Sequence, residues 1–130
     1  MIFRRLTLPL IAKAIVAMGA ITVLVACGSK YRAPAIMITF SSSFPPPSAL
    51  SAGATAGIAA VVTNDNANAG VNFSCLPASQ CGSFNPNPIA SNVPTTYQAP
   101  PVVPPGSTVT VTATSVTDSS KFGSATITID

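Results

Sequence analysis

The sequence predicts an all-β domain, a β-sandwich of about seven strands, behind a short N-terminal targeting segment. Short runs of alternating apolar and hydroxylated residues recur along the chain, separated by segments rich in Pro, Gly, Asn and Ser. No stretch after residue 34 has the apolar period of a helix. The length of 130 residues allows one ordinary domain.

The N-terminus has the layout of a secretory signal peptide, which we assign to residues 1–26. Arg4 and Arg5 form a basic start, and an apolar stretch follows that ends in small residues. Lys13 interrupts this stretch, so it falls short of the roughly 20 apolar residues needed to span a bilayer. We therefore expect a cleaved export signal, and the alternative is an uncleaved signal anchor.

The segment Leu24-Val-Ala-Cys27 resembles a bacterial lipobox. In lipoproteins with this motif the Cys receives a diacylglycerol, the peptide is cut before it, and the new amine is acylated. The resemblance implies covalent lipid on Cys27, a tether over residues 27–34, and a membrane as partner; two or three acyl chains anchor stably. Gly28 stands where an Asp would retain a lipoprotein in the inner membrane. We therefore expect an outer-membrane lipoprotein of a bacterial cell envelope.

The cysteine count agrees with this assignment. Three Cys in an exported chain leave one without a partner. With Cys27 assigned to lipid, Cys75 and Cys81 remain as a pair in an oxidising compartment. We predict a structural disulfide between them, worth roughly 2–3 kcal/mol through the loop that it closes. A redox pair is the less favoured alternative, because such pairs more often have the spacing C-x-x-C.

The charge distribution excludes a nucleic-acid-binding surface. The formal net charge is +3, but three of the cations lie in the segment that we expect to be removed. The remaining three, at Lys30, Arg32 and Lys121, balance the three acids of the chain, which are all Asp. A domain with balanced charges lacks the basic footprint that nucleic acid requires.

The domain itself is placed at residues 35–130, and its first half contains three strand signals. Residues 36–40 are apolar and partly β-branched, and a Ser- and Pro-rich run ends this strand because proline cannot donate to a ladder. Residues 55–63 alternate small and aliphatic side chains. After an Asn-rich turn, residues 71–75 place Val, Phe and Cys on one face.

The second half contains four strand signals. Residues 82–84 are a short extended piece, and residues 94–99 form a strand around Tyr97. A proline-rich loop then leads to residues 107–116, where Val and Ala alternate with Thr, and residues 123–130 repeat the pattern. These last two runs, joined by a polar turn, predict a C-terminal hairpin. The predicted core is aliphatic: Ile36, Ile38, Ile58, Val62, Val71, Phe73, Val109, Val111, Ile127 and Ile129.

Several motifs resemble bacterial immunoglobulin-like domains over roughly residues 36–129. In chain order they are the T-N-D turn, G-V-x-[aromatic]-S, C-G-x-F, T-Y-x-A-P and V-T-V-T-A-T-S-V-x-D. Phe73 departs from the pattern, because these domains usually carry Trp there. A single copy is a second departure, because such domains often occur in arrays. The resemblance implies an immunoglobulin-like sandwich of the kind found in surface and adhesin-like proteins.

The composition of the chain argues against a catalytic site, and the spacing of its acidic residues argues against a metal site. The chain has no His and no Glu, so the abundant Ser residues lack a general base. A calcium loop that began at Asp65 would place Ala67 and Ala69 at ligand positions, so a turn is the better interpretation. We expect no enzyme, no metal, and no cofactor beyond the diacylglycerol and acyl groups on Cys27.

The candidate recognition surface consists of Phe44, Pro45, Pro46 and Pro47, with Tyr97. Three prolines favour polyproline II, a preformed shape used in recognition, while the structural alternative is a kink where the chain switches strands. Tyr97 is either a ligand platform or an edge residue that hydrogen-bonds to backbone, as in the tyrosine corners of sandwich domains.

The favoured function is that of a membrane-anchored binding, adhesion or structural module with an unknown protein or glycan ligand. The alternative is a small accessory subunit of an envelope or secretion assembly that acts through sheet-edge pairing. A carbohydrate-binding module is weakened by the absence of Trp.

Overall fold

The computed structural model of the protein describes residues 30–130. The predicted signal peptide and Cys27 lie outside the described residues. The chain divides into two compact units, Met1–Ala33 and Pro34–Asp130. Of the first unit, residues 30–33 are described, and they are irregular and exposed. The second unit is the β domain considered below.

The predicted all-β class is confirmed, since the described residues form nine strands and no helix. The strands are β1 Met37–Phe40, β2 Ala49–Leu50, β3 Thr55–Ile58, β4 Ala60–Thr63, β5 Val71–Leu76, β6 Ser83–Asn85, β7 Thr95–Gln98, β8 Thr108–Ser115 and β9 Phe122–Ile129.

These strands are arranged in three sheets. β1 pairs with β4, the largest sheet has the order β2-β9-β8-β5, and the third has the order β3-β7-β6. Every pairing is antiparallel except that of β2 with β9, which is parallel. Strands that follow one another in the chain therefore often belong to different sheets.

The predicted C-terminal hairpin is confirmed by the pairing of β8 with β9. Val109 lies opposite Ile127, and both side chains are fully buried. The Thr and Ser residues between the buried positions face outward, and the hydroxyls of Thr112 and Ser124 hydrogen-bond at 3.0 Å across the two strands. One face of the hairpin thus supplies the core and the other is hydroxylated, as the alternation requires.

The single strand predicted over residues 55–63 is wrong, because β3 and β4 belong to different sheets and the break falls at Ala59. The Ala59 carbonyl accepts the Ser41 amide at 2.8 Å, and its own amide donates to the Phe44 carbonyl at 2.9 Å. These bonds to a distant loop take the place of ladder bonds and turn the chain. The sequence prediction also missed β2, which has two residues.

The core draws side chains from all three sheets. Most predicted core residues are buried, whereas Ile36 and Val62 are partly buried and pack against the core. Tyr97, Ala60 and Ala113 are fully buried members that the aliphatic prediction left out.

Candidate functional site

The predicted disulfide is present between Cys75 and Cys81, whose Cα atoms are 5.7 Å apart. Cys75 lies near the end of β5, and Cys81 lies two residues before β6. The bond therefore links the largest sheet to the three-stranded sheet. Between the two cysteines, Leu76 ends β5 and residues 77–80 form a loop; all five residues are exposed, and the bond holds the loop in place.

Tyr97 is not part of an exposed recognition surface, and this part of the sequence prediction is corrected. Its side chain is fully buried, and its hydroxyl donates to the Cys81 carbonyl at 2.7 Å. Burial raises the pKa of the Tyr97 phenol, so the group stays a neutral donor. The backbone hydrogen bond of the structural alternative is confirmed, and a buried Tyr hydroxyl needs such a partner. The edge position is wrong, because β7 is the central strand of the three-stranded sheet.

The Tyr97 ring completes an aromatic stack that joins two sheets. The ring centroids of Phe73 and Phe84 are 5.4 Å apart, and those of Phe84 and Tyr97 are 5.1 Å apart. Phe73 belongs to β5, and the other two rings belong to the three-stranded sheet. Together with the disulfide, the stack fixes the position of the loop between Cys75 and Cys81.

The Phe44–Pro47 run carries the chain from β1 to β2, and so from one sheet to another. Phe44 and Pro45 are exposed, whereas Pro46 and Pro47 are partly buried. The Phe44 ring lies beside Gly57 of β3, where an added Cβ would be 3.7 Å from it. This is the geometry of the strand-switch kink, and a recognition role for the exposed part of the run stays a prediction.

An open cleft of about 580 Å³ lies beside the disulfide loop. One wall is formed by Ser79 and Gln80 of that loop and by Gly82 just after it, and the other wall by the loop that follows β7. The remaining lining residues are Gly53, Ser83, Gln98, Ala99, Pro100, Pro101, Val102 and Val103. Its size lies within the range of small-ligand sites in proteins.

The close approach of the two walls depends on Gly82. Its φ is +92°, and a Cβ added there would overlap the Gln98 carbonyl oxygen. An L side chain at this position would therefore meet both backbone strain and a steric clash. Gly53, another lining residue, is tied to the wall that follows β7, because its amide donates to the Pro100 carbonyl at 2.8 Å.

The lining of the cleft is uncharged and suits binding rather than catalysis. It presents two carboxamides, at Gln80 and Gln98, beside the exposed side chains of Val102 and Val103. The hydroxyls of Ser79 and Ser83 lack a base among the lining residues. The carboxamides can hydrogen-bond to an uncharged ligand, such as a peptide backbone or a sugar, and the neighbouring valines can cover its apolar parts.

The free edge of β5 is covered by residues 87–92, which we call the bridging segment. The Asn87 carboxamide accepts the Phe73 amide and donates to the Phe73 carbonyl, each at 2.8 Å. The Ile89 backbone exchanges two hydrogen bonds with Val71, at 2.8 and 2.9 Å. The Asn87 side chain and the Ile89 backbone thus make the hydrogen bonds to β5 that a neighbouring strand would make.

The same segment covers β4. The Val62 amide donates to the Ser91 hydroxyl at 2.9 Å, and the Ser91 hydroxyl donates to the Val62 carbonyl at 3.4 Å. The Asn92 amide donates to the Ala60 carbonyl at 2.8 Å. The bridging segment therefore satisfies outward backbone groups of two sheets at once.

The Asp65 segment forms the turn that the sequence predicts. Its carboxylate accepts the Ala67 and Ala69 amides, each at 3.1 Å, and the Thr117 hydroxyl at 2.9 Å. Desolvation acts to raise the pKa of Asp65, but these hydrogen bonds outweigh it and hold the pKa below its usual value. Among residues 30–130, no group of three or more His, Cys, Asp or Glu could hold a metal ion.

Sequence reasoning missed the cleft and the bridging segment for one shared reason. The cleft joins loops that are distant in the chain, the bridging segment bonds to strands that are distant from it, and neither has a local period. One signal was available, because Val102 and Val103 between two pairs of prolines are apolar residues in a loop that cannot bury them easily.

No helix within the described residues is long and apolar enough to cross a membrane. Comparison with protein-family models, with curated proteins and with solved structures finds no significant match to this chain.

Proposed function

We propose that this chain is a non-enzymatic lipoprotein of a bacterial cell envelope, anchored in the outer membrane by acyl groups on Cys27. Its single domain is an immunoglobulin-like β-sandwich that serves as a binding, adhesion or structural module. The ligand is an uncharged part of a protein or glycan, and it is bound in the cleft between the disulfide loop and residues 100–103.

The observation that carries this proposal is the cleft itself. It is open, uncharged and rigidly framed by a disulfide, by Gly82 and by the hydrogen bond from Gly53 to Pro100. Rigid walls lower the entropic cost of binding, because little ordering accompanies ligand entry. The balanced charges of the described residues favour a neutral ligand over nucleic acid.

The sandwich interpretation rests on the shared core and on Tyr97. Side chains of the four-stranded and three-stranded sheets meet in one core, and the Phe73–Phe84 stack joins them. The hydrogen bond from the Tyr97 hydroxyl to an upstream carbonyl is similar in kind to the tyrosine corner of immunoglobulin-like domains. Both features support the resemblance in the sequence motifs.

The bridging segment weighs against the alternative of an accessory subunit that acts by edge pairing. Strand addition needs a row of unpaired backbone groups on an exposed edge. On β5 and β4 such groups are already bonded to Asn87, Ile89, Ser91 and Asn92. An incoming strand would have to displace those bonds before it gained its own.

Fractionation of bacterial cells tests the anchor. We expect full-length protein in the outer-membrane fraction, and Cys27→Ser protein in the soluble periplasmic fraction or in uncleaved form. Cys27→Ser protein that fractionates as the wild type does would contradict the proposal.

Glycan and peptide arrays test the cleft. We compare the wild type with Val102→Asp, which places a charge at the cleft, and with Val116→Asp, which places the same charge at an exposed valine outside the lining. Binding that is lost in the first variant and retained in the second supports the cleft. Equal binding by all three proteins would assign the ligand to another surface.

A further inference from the structure

A second hollow, of about 200 Å³, lies at the start of the β domain. Its lining residues are Ile36, Met37, Ile38, Ser120, Lys121 and Phe122. It brings together the first residues of the domain and the turn between β8 and β9. The hollow therefore lies where the tether predicted over residues 27–34 enters the domain.

Two large apolar side chains at this hollow are exposed, Met37 at 56% and Phe122 at 63%. Gly123 leaves room for β1, which carries Met37, to pack against β9, which carries Phe122. A Cβ added at Gly123 would be 3.3 Å from the Ile38 carbonyl oxygen. Met37 precedes the buried Ile38 and so faces outward by the alternation of a strand.

Phe122 is an exception on its own face of β9. The other exposed residues of this strand are Ser124, Thr126 and Thr128, so the rest of the face is hydroxylated. The apolar exposure of the strand is therefore confined to the end that lies beside β1, the first strand of the domain. The hydroxylated part of this face is suited to contact with water, and the Phe at its end is suited to contact with an apolar medium.

The turn between β8 and β9 carries one positive and one negative side chain. Lys121 lines the hollow and is the sole Lys or Arg of Pro34–Asp130. Asp118 lies on the same turn, and hydrogen bonds from Ser120, helped by the charge of Lys121, hold its pKa below the usual value. The turn thus has both signs of charge, so the apolar side chains of Met37 and Phe122, rather than a net charge, are what this end offers to a bilayer.

We propose that this end of the domain, through Met37 and Phe122, inserts into the head-group boundary of the bilayer that holds the Cys27 anchor. The inference rests on the proposed function, because it needs the anchor. From Cys27 to Ile36 the chain has about nine residues, which reach at most about 30 Å. The tether therefore keeps the hollow near the bilayer at all times, and weak apolar insertion becomes intramolecular.

Such insertion would orient the domain as well as hold it. Residues 100–103 and the cleft lie at the other end of the β8–β9 hairpin, since Gly53 bonds to Pro100 while its neighbour Ala52 bonds to Asp130 at the end of β9. Strands of eight residues span about 24 Å. Contact through Met37 and Phe122 would point the cleft away from the membrane, toward its ligand.

The sequence supplies a sensitive probe of this contact. The chain has three Met, at positions 1, 18 and 37, so removal of residues 1–26 leaves Met37 alone. We would label the methionine methyl with ¹³C in mature, acylated protein and reconstitute it into vesicles of phosphatidylethanolamine and phosphatidylglycerol. A nitroxide on the lipid head group then broadens methyl signals that lie close to the bilayer surface.

The reference is Val102→Met, which adds a second methyl at a 73% exposed position on the far side of the domain. We expect the Met37 methyl to be broadened at least several-fold more than the Met introduced at position 102. Phe122→Ser should reduce the Met37 broadening, whereas the matched variant Val102→Ser should leave it unchanged. A thermal melt of each variant checks that the domain remains folded.

The outcomes separate this inference from the proposed function. Acylated, membrane-bound protein with equal broadening at the two methyls overturns the orientation and leaves the anchor intact. Broadening of the Met37 methyl that appears only when another protein has co-purified would assign Met37 and Phe122 to a protein partner. That result would also overturn the membrane contact. Mature protein without acyl mass on Cys27 overturns the anchor, and the orientation falls with it.

Discussion

The β8–β9 hairpin and the bridging segment stabilise the same domain in opposite ways. The hairpin has a long, regular ladder and one fully buried face. The bridging segment, residues 87–92, has almost no regular structure and acts through individual groups, chiefly the Asn87 carboxamide and the Ser91 hydroxyl. A ladder distributes its stabilisation over many residues, whereas the bridging segment concentrates it in a few groups, which are the side chains of Asn87 and Ser91 and the backbone of Ile89 and Asn92.

This difference predicts where single substitutions act. In the hairpin, loss of an outward hydroxyl should matter little and loss of an inward apolar group should matter greatly. In the bridging segment the exposed polar groups themselves should matter, because they bond to backbone that would otherwise be an open edge.

The largest effect is expected for Ile127→Ala in β9. Ile127 is fully buried opposite Val109, and such a truncation costs about 2–5 kcal/mol through lost burial and a cavity. Urea denaturation followed by circular dichroism measures the change in free energy of unfolding. The control Thr126→Ala, at the exposed neighbouring position, should stay within about 0.5 kcal/mol of the wild type. Similar losses in both variants would show that the hairpin does not divide its faces as described.

Loss of the disulfide comes next. Replacing Cys75 and Cys81 together by Ala should lower the free energy of unfolding by roughly 2–3 kcal/mol, because the seven-residue ring no longer restricts the unfolded chain. Differential scanning calorimetry of native and variant protein measures it. The wild type should contain no thiol that reacts with an alkylating agent before reduction. Free thiols at both positions in native protein would rule out the structural bond.

A smaller effect is expected for Asn87→Ala, which removes both hydrogen bonds to Phe73. We expect a loss of about 1–2 kcal/mol in the free energy of unfolding and a new tendency to dimerise at the exposed β5 edge. Denaturation and size-exclusion chromatography measure the two effects.

The matched control is Asn72→Ala, because Asn72 is an exposed residue of the same type within β5. It should change neither property. If Asn87→Ala proves as silent as this control, the bridging segment does not protect the edge.

The smallest effect concerns pH. The pKa of Asp65 is held below its usual value by Thr117 and by backbone amides. Its contribution to stability is therefore complete above the ordinary carboxyl pKa of 3.8 and is lost as the pH falls through the lower, folded value. Melting temperatures of Asp65→Asn and wild type should differ at neutral pH and converge in acid. A constant difference across this range would contradict the assigned hydrogen bonds.

The same comparison explains what could be predicted from the sequence. The hairpin was predicted because its strands alternate Val, Ala or Ile with hydroxylated residues, and this alternation depends only on local chain geometry. The Cys75–Cys81 bond was predicted because cysteine counting needs no coordinates. Both features follow from short-range pattern or from composition.

The rest depends on contacts between distant segments. The break at Ala59 exists because Ser41 and Phe44 bond to its backbone. Tyr97 was assigned to a candidate surface, but it is buried because the Cys81 carbonyl lies within reach of its hydroxyl. The cleft needs the disulfide loop and residues 100–103 to meet. None of these contacts produces a repeating pattern of residues that could be recognised in the sequence.

The most direct test of the lipoprotein assignment is the intact mass of the protein purified from bacterial membranes after expression of the full chain. The account predicts a mature chain that begins at Cys27, with a diacylglycerol on its thiol, an acyl group on its amine, and Cys75 and Cys81 oxidised. A chain that begins at Met1, or a Cys27 with no added lipid mass, would contradict it.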